Sequence, residues 1–316
     1  MTDNDEGFGH YAGLPTTEVH ELSDGGWPPD SAAVAWRISA IHWTTMPRPI
    51  GEIFDAFFER ADTSRVTAIV IGPWTGPNDE SSKVVIDRLI SEAERLPALR
   101  SLYLGSISLD ETEISWIQQS DITPLLEAFP KLERLDVCGG AGLALSPVRH
   151  ESLRTLRVET GGLDGAVTRG VAASDLPALE HLELWLGVEE YGGTTTISDL
   201  DPILRGDRLP ALRHLGLQDS EGQDDIAAAV AIAPIIARLE SLSLSMGVLT
   251  DTGAESLLSG QPLTHLRRLD LHHHFLSDAM MRRLTEALPG VEVDLSEQEE
   301  PDEYDGETWH YVAVSE

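Results

Sequence analysis

"LPALEHLELW", residues 176–185, sets leucines at 179, 182 and 184, the last two separated by Glu183. That alternation puts Leu182 and Leu184 on one face of a short strand, with Leu179 turning inward just before it. A single strand of this kind has nothing to bury its apolar face against, so the pattern matters because it returns. "LPALRHLGLQ" (209–218) and "LPALRSLYLG" (96–105) repeat it, as do "FPKLERLDVC" (129–138), "HESLRTLRVE" (150–159), "IARLESLSLS" (236–245) and "LTHLRRLDLH" (263–272). "SRVTAIVIG" (64–72) and, more weakly, "AAVAWRIS" (32–39) extend it upstream, while "PGVEVDLSE" (289–297) keeps Val293 and Leu295 downstream. First positions at 33, 66, 99, 132, 153, 179, 212, 239 and 266 give steps of 21 to 33 residues. Units of this length stack so that parallel strands share one continuous apolar interior, with a return element on the far side of each.

Helices supply the return elements. "SSKVVIDRLISEAERL" (81–96) places Val84, Val85, Leu89 and Ala93 near helical spacing, and "IGEIFDAFFERAD" (50–62) stacks Ile53, Phe54, Phe57 and Phe58 on one side. "DIAAAVAIAPIIARL" (225–239) is interrupted at Pro234. "DTGAESLLSG" (251–260) stops at Gly260, and "SDAMMRRLTEAL" (277–288) opens on Ser277, a favourable N-cap type. Asp121 is a candidate N-cap for "ITPLLEAF", and Trp116 is expected in the convex side.

This L-x-x-L-x-L pattern resembles the leucine-rich repeats, and "LTDTGAESLLSG" followed by "LTHLRRLDLHHHFLSDAMMRRL" is similar to their ribonuclease-inhibitor-like class. The resemblance covers roughly residues 30 to 296 and implies an α/β solenoid: a curved horseshoe with parallel strands on the concave face and helices on the convex face. "EISWIQQSDITPLLEAFP", "LPALEHLELWLGVEEYGG" and "QPLTHLRRLDLHHHFLS" also resemble a family of uncharacterised bacterial, mainly actinomycete, repeat proteins. One departure stands out. The ribonuclease-inhibitor-like class usually has Asn or Cys at the ninth position, bonding neighbouring backbones. Here that position holds Trp74, Ile107, Gly140, Gly161, Gly187, Ser220, Gly247 and His274, so the turns must satisfy their backbones otherwise.

Residues 1–30 read as an N-terminal cap, with Phe8, Tyr11 and Leu14 tucked onto the first repeat. Residues 31–296 form the solenoid, of about nine or ten repeats, and 297–316 an acidic linker with a final strand, "TWHYVAVSE", closing the edge. "VEEYGGTTT" (188–196) is the longest glycine-bearing excursion. The charge of −32, from 54 acids against 22 bases, opposes nucleic acids and anionic membranes as partners. The acidic start "MTDNDEGFGH" lacks a secretory pattern, and no apolar run is long enough to span a bilayer. One cysteine, Cys138, excludes an intramolecular disulfide framework and fits a reducing cytoplasm.

If the leucines point inward, positions 3, 5 and 7 of each unit point to the concave face. They bring out Tyr103, Arg134, Asp136, Arg157, Glu159, His181, Glu183, Trp185, His214, Arg268, Asp270 and His272 as candidate binding residues. Cross-strand ion pairs among them are one expectation; a polar partner surface anchored by Tyr103 and Trp185 is the other. The function expected is a non-catalytic scaffold binding a protein or peptide, without a cofactor. The alternative is a metal-dependent enzyme, or an accessory to a modifying enzyme, using Asp270, His272 and His274 of "RRLDLHHHFLSD" (267–278). A polar strand-to-helix turn, with one ring bonding a backbone carbonyl, is the expected explanation of that run. Cys138 lacks a histidine in its own or either adjacent unit and reads as a packed thiol.

Overall fold

A computed structural model describes residues 8–22, 26–41, 47–74, 80–108, 111–304 and 307–315; residues 1–7, most of the acidic start, lie outside it. Every unit contributes one strand to a 12-stranded sheet whose spatial order is the chain order. The strands are β1 (His10–Tyr11), β2 (Leu14–Glu18), β3 (Ala35–Ile38), β4 (Ala68–Ile71), β5 (Ser101–Leu104) and β6 (Arg134–Cys138). They continue as β7 (Thr155–Glu159), β8 (His181–Gly187), β9 (His214–Ser220), β10 (Ser241–Ser243), β11 (Arg268–Asp270) and β12 (Glu292–Asp294). β1 and β2 form an antiparallel hairpin, and all later neighbours are parallel.

The register follows the leucines. Trp36, Ile69, Leu102, Leu135, Leu156, Leu182, Leu215, Leu242 and Leu269 stand opposite one another in successive strands, and each is fully buried. The chain is therefore a leucine-rich-repeat solenoid. Helices α1 (Ile50–Arg60), α2 (Lys83–Ser91), α3 (Thr123–Ala128), α4 (Gly165–Ala173), α5 (Ile197–Arg205), α6 (Gln223–Ala231), α7 (Asp251–Ser259) and α8 (Asp278–Ala287) form the opposite layer. Strands pack about 4.8 Å apart and helices 8–10 Å apart, so such a stack bends with its strands inside.

Local chemistry places the helices as read from the sequence. Ile53, Phe54, Phe57 and Phe58 of α1 are all buried, and Ser277 caps α8 by accepting from the Met280 amide at 3.2 Å. Asp121 accepts from the Thr123 amide at the start of α3. Pro234 begins a 3-10 turn after α6. The loop 188–196 is a built structure: Thr196 and Asp199 form a capping box for α5, and the Thr195 hydroxyl bonds Leu163 O. Among the described residues, no helix is long and apolar enough to cross a membrane.

The 21-residue unit explains itself. No helix lies between β6 and β7; extended backbone bridges Gln118 to Ala141 and Asp121 to Ala144 instead. α4 then packs directly on that backbone. A Cβ at Gly170 would lie 1.9 Å from Leu145 O, so only glycine allows the approach. In place of an Asn ladder, the turns use scattered side chains. Gln119 Nε2 donates to Cys138 O, Thr160 Oγ1 to Trp185 O and Gln223 Nε2 to Leu217 O, while His274 Nε2 bonds Leu295 O.

Three expectations need correction. Trp116 is 51% exposed, because Ile114 and Ile117 take the inward positions of its 3-10 turn. Val84 is also exposed, with Val85 and Ile86 buried in its stead. Among the described residues, the C-terminus adds no strand to the last edge. β13 (Asp302–Tyr304) and β14 (Glu307–Trp309) pair only with each other, and residues 311–315 turn back across the strand ends. There the Ala313 amide donates to Met246 O, the Val314 amide to Asp219 Oδ1, and the Ser115 hydroxyl to Ser315 O.

Candidate functional site

The strand face has two unlike halves. In β3 to β5 its side chains are packed away: Arg37, Ala68, Val70, Ser101 and Tyr103 are all buried. Tyr11 of β1 sits over this half, its ring centroid 5.8 Å from that of Tyr103, and donates to Asp136 Oδ2 at 2.8 Å. β1 ends the sheet, yet it touches β5 and β6. The β1 arm of the hairpin therefore folds over the strand face, which becomes interior at this end. From β6 to β12 the face stays open as a cavity of about 520 Å³.

Arg134, Arg157, His181, Glu183, Trp185, His214, Arg268, Asp270 and His272 all line that cavity, as alternation requires. Tyr103, Asp136 and Glu159 do not; they are 8%, 1% and 7% exposed and lie beneath it. For these three the expectation of an accessible surface is overturned: Tyr11 packs on Tyr103 and bonds Asp136, while Tyr103 and Arg157 engage Glu159. Thr155, Gln218, Ser241, Ser243 and Asp294 also line the cavity; all stand at positions 3, 5 or 7 of their units and were legible from the register alone.

The charged groups are joined within strands and across them. Tyr103 donates to Glu159 Oε2 at 3.0 Å, and Arg157 bridges Glu159 and Glu183, each at 2.8 Å. His181 Nε2 and His214 Nε2 lie 3.0 and 3.1 Å from the same Glu183 oxygen. Arg134 pairs with Asp136, and Arg268 with Asp294. Burial works against the charge on Arg157, but Glu159 and Glu183 outweigh it and hold the guanidinium above its ordinary value. Burial likewise opposes ionisation of Glu183, yet His181, His214 and Arg157 keep it well below the usual carboxylate range. Burial raises Glu159 and, with Glu159 beside it, pushes the Cys138 thiol well up, so Cys138 is an unreactive packed group.

Asp136 tests how much this network holds the fold. It is buried and serves both Arg134 and the Tyr11 hydroxyl. Asp136→Ala is expected to cost about 2–3 kcal/mol, less than a fully buried pair because Arg134 keeps some water. Urea unfolding of the variant measures this; a midpoint equal to wild type would show that the N-terminal strands do not depend on the contact.

The histidine run divides. His272 Nδ1 lies 2.8 Å from Asp270 Oδ1 on the groove side, and this hydrogen bond raises the His272 pKa. His274 is fully buried on the other side. Its Nε2 bonds Leu295 O and its Nδ1 accepts from the Leu276 amide, leaving no nitrogen for a metal. Asp270, His272 and His274 therefore do not form one site, and the catalytic reading built on them fails. His273 takes a left-handed backbone, φ 52°, at the end of the strand, which sends successive rings to different sides.

No family model and no curated protein matches the chain. A solved structure of a Bacteroides fragilis protein matches at 32% identity and a TM-score of 0.74, over 78% of this chain and 70% of that one. An internalin from Listeria monocytogenes aligns at 14% identity and a TM-score of 0.36, over 74% and 56%. Nearly a third of the aligned residues are thus shared with the Bacteroides fragilis protein across most of both chains, and the chain belongs to that protein's family.

Proposed function

We propose that the chain is a non-catalytic scaffold that binds a protein or peptide in the open half of its strand face. One observation carries the reading: from β6 to β12 the solenoid leaves about 520 Å³ free above charged side chains already held by partners on the same or the neighbouring strand. Groups fixed before binding lose little side-chain entropy when a partner arrives. Arg157 lies 5.8 Å from the Trp185 ring at the cavity wall, so Arg and Trp, two residue types enriched among interface anchors, stand side by side, the Trp185 side chain largely packed in at 8% exposed. The helical returns support placing the repeats in the ribonuclease-inhibitor-like class, and the single reduced thiol supports a cytoplasmic setting. The acidity of the whole chain argues against nucleic acid as the occupant.

Affinity capture from the native cell, followed by titration of the captured protein, tests this. Trp185→Ala with Arg268→Ala is expected to weaken binding by about 10-fold or more. Ile232→Asp, on the helical layer and 79% exposed, is expected to leave it unchanged. The reverse pattern would refute the groove as the binding surface.

A further inference from the structure

We propose that His181, Glu183 and His214 form a binding site for a divalent transition metal ion, zinc foremost, on the floor of the groove. The site is built by the β8–β9 register. His181 stands opposite His214, and their rings stack at 4.0 Å with 11° between planes. Glu183 stands opposite Gly216. A Cβ on Gly216 would lie 2.8 Å from Glu183 Cγ, so the glycine lets the carboxylate lean across to the neighbouring strand. One carboxylate oxygen thereby meets both imidazoles, and the three ligand atoms lie within 4.8 Å of one another. Tetrahedral zinc with bonds near 2 Å spaces its ligand atoms about 3.3 Å apart, close to the 3.0 and 3.1 Å between each Nε2 and the Glu183 oxygen, and the stacked rings must rotate out of parallel for both lone pairs to meet one ion.

The surroundings are those of a metal site. His214 Nδ1 is held by the Ser241 hydroxyl at 2.7 Å, which fixes the ring and directs Nε2 at Glu183. That Nε2 is buried and makes no hydrogen bond, despite lying 3.1 Å from Glu183 Oε1. Arg157 steadies the second Glu183 oxygen at 2.8 Å. With neutral rings, Glu159, Glu183 and Arg157 sum to one negative charge, so a dication is favoured in spite of the nearby guanidinium. Two imidazoles and a carboxylate suit zinc, cobalt or nickel and exclude a calcium-type oxygen cage. Three protein ligands leave a coordination position facing the groove, open to water or to a donor from its occupant.

The test uses the full chain without a histidine tag, stripped with chelator. Zinc is titrated calorimetrically, and cobalt is followed by its visible absorption. The expected result is one equivalent bound with micromolar or tighter affinity and a four-coordinate cobalt spectrum. His181→Ala and Glu183→Gln are each expected to weaken uptake by about 100-fold with circular dichroism unchanged. His181 is the more exposed of the two rings, so its removal keeps the test valid if His214→Ala fails to fold. Asp270→Ala with His272→Ala is expected to leave uptake intact. Failure of the folded wild type to take up either metal, or uptake indifferent to His181→Ala and Glu183→Gln together, overturns the site. Neither outcome touches the protein-binding reading, which is measured separately.

Discussion

Alanine at Gly187 is expected to destabilise the protein by on the order of 3 kcal/mol or more. Gly187 ends β8 with φ +64°, a conformation that already costs an L-residue about 1–2 kcal/mol. The larger cost is steric. A Cβ there would lie 2.0 Å from Gly161 O and 2.4 Å from Gly162 N, and both are backbone atoms that cannot swing aside. The two segments are locked at this point: the Val188 amide donates to Gly161 O, and Gly162 bridges to Gly187. Relief would require β7 and β8 to part at their C-terminal ends, next to Trp185. Gly290 supplies the control. Its φ is +89°, but a Cβ there meets nothing within 4 Å, so Gly290→Ala carries only the conformational cost, about 1–2 kcal/mol. Thermal unfolding of both variants separates the two contributions. Equal shifts would show that the close approach of β7 and β8 is not a constraint on the fold.

The second large effect is a dependence on pH seated at Asp219. This residue is fully buried near the end of β9, with φ 59°. Its Oδ1 accepts from the Val314 amide at 2.9 Å, and its Oδ2 is buried without a partner. Burial drives its pKa up to about 8 against the opposing pull of that amide. The folded protein then holds a proton where the unfolded chain has lost it. Stability is complete below the ordinary aspartate pKa near 4, declines as pH rises, and levels off above about 8. Release of residues 311–315 would let water reach the ionised carboxylate, so the loss is bounded by the docking of that segment, about 3 kcal/mol or less. Asp219→Asn stays neutral, tolerates the left-handed backbone and still accepts from Val314. It is expected to be more stable than wild type at alkaline pH and to lack most of the decline. Urea midpoints measured from acid to alkaline pH decide the matter, and parallel curves for the two proteins would remove Asp219 as the cause.

The strand register was legible almost completely. Alternation around Leu182 or Leu215 is a property of adjacent residues, and it names the inward row whatever lies far away in the chain. Even the degenerate unit at Trp36 pairs as its spacing requires. The same logic placed His181, Glu183 and His214 on one face, but a search for ligands along a single segment favoured the run 272–274 instead. Neighbours across a parallel sheet are separated by a whole repeat, so the cluster emerges only when equivalent positions are compared between units. Trp116 was misplaced for a related reason: its 3-10 turn has neither strand nor helix period to show which side is inward.

From sequence alone, then, the chain determined its repeat, its buried leucine row and the identity of the side chains on the opposite row, because each depends on local periodicity. Tertiary structure decided which of those side chains meet water. Asp136 and Arg268 occupy comparable rows, yet Tyr11 closes over the first while the second stays exposed. Accessibility of a polar face depends on how tightly the stacked units curl and on where the termini return, as Tyr11 does to Asp136 and Val314 to Asp219. Those are sums of many small packing choices and of contacts between residues about a hundred positions apart, which no local pattern carries.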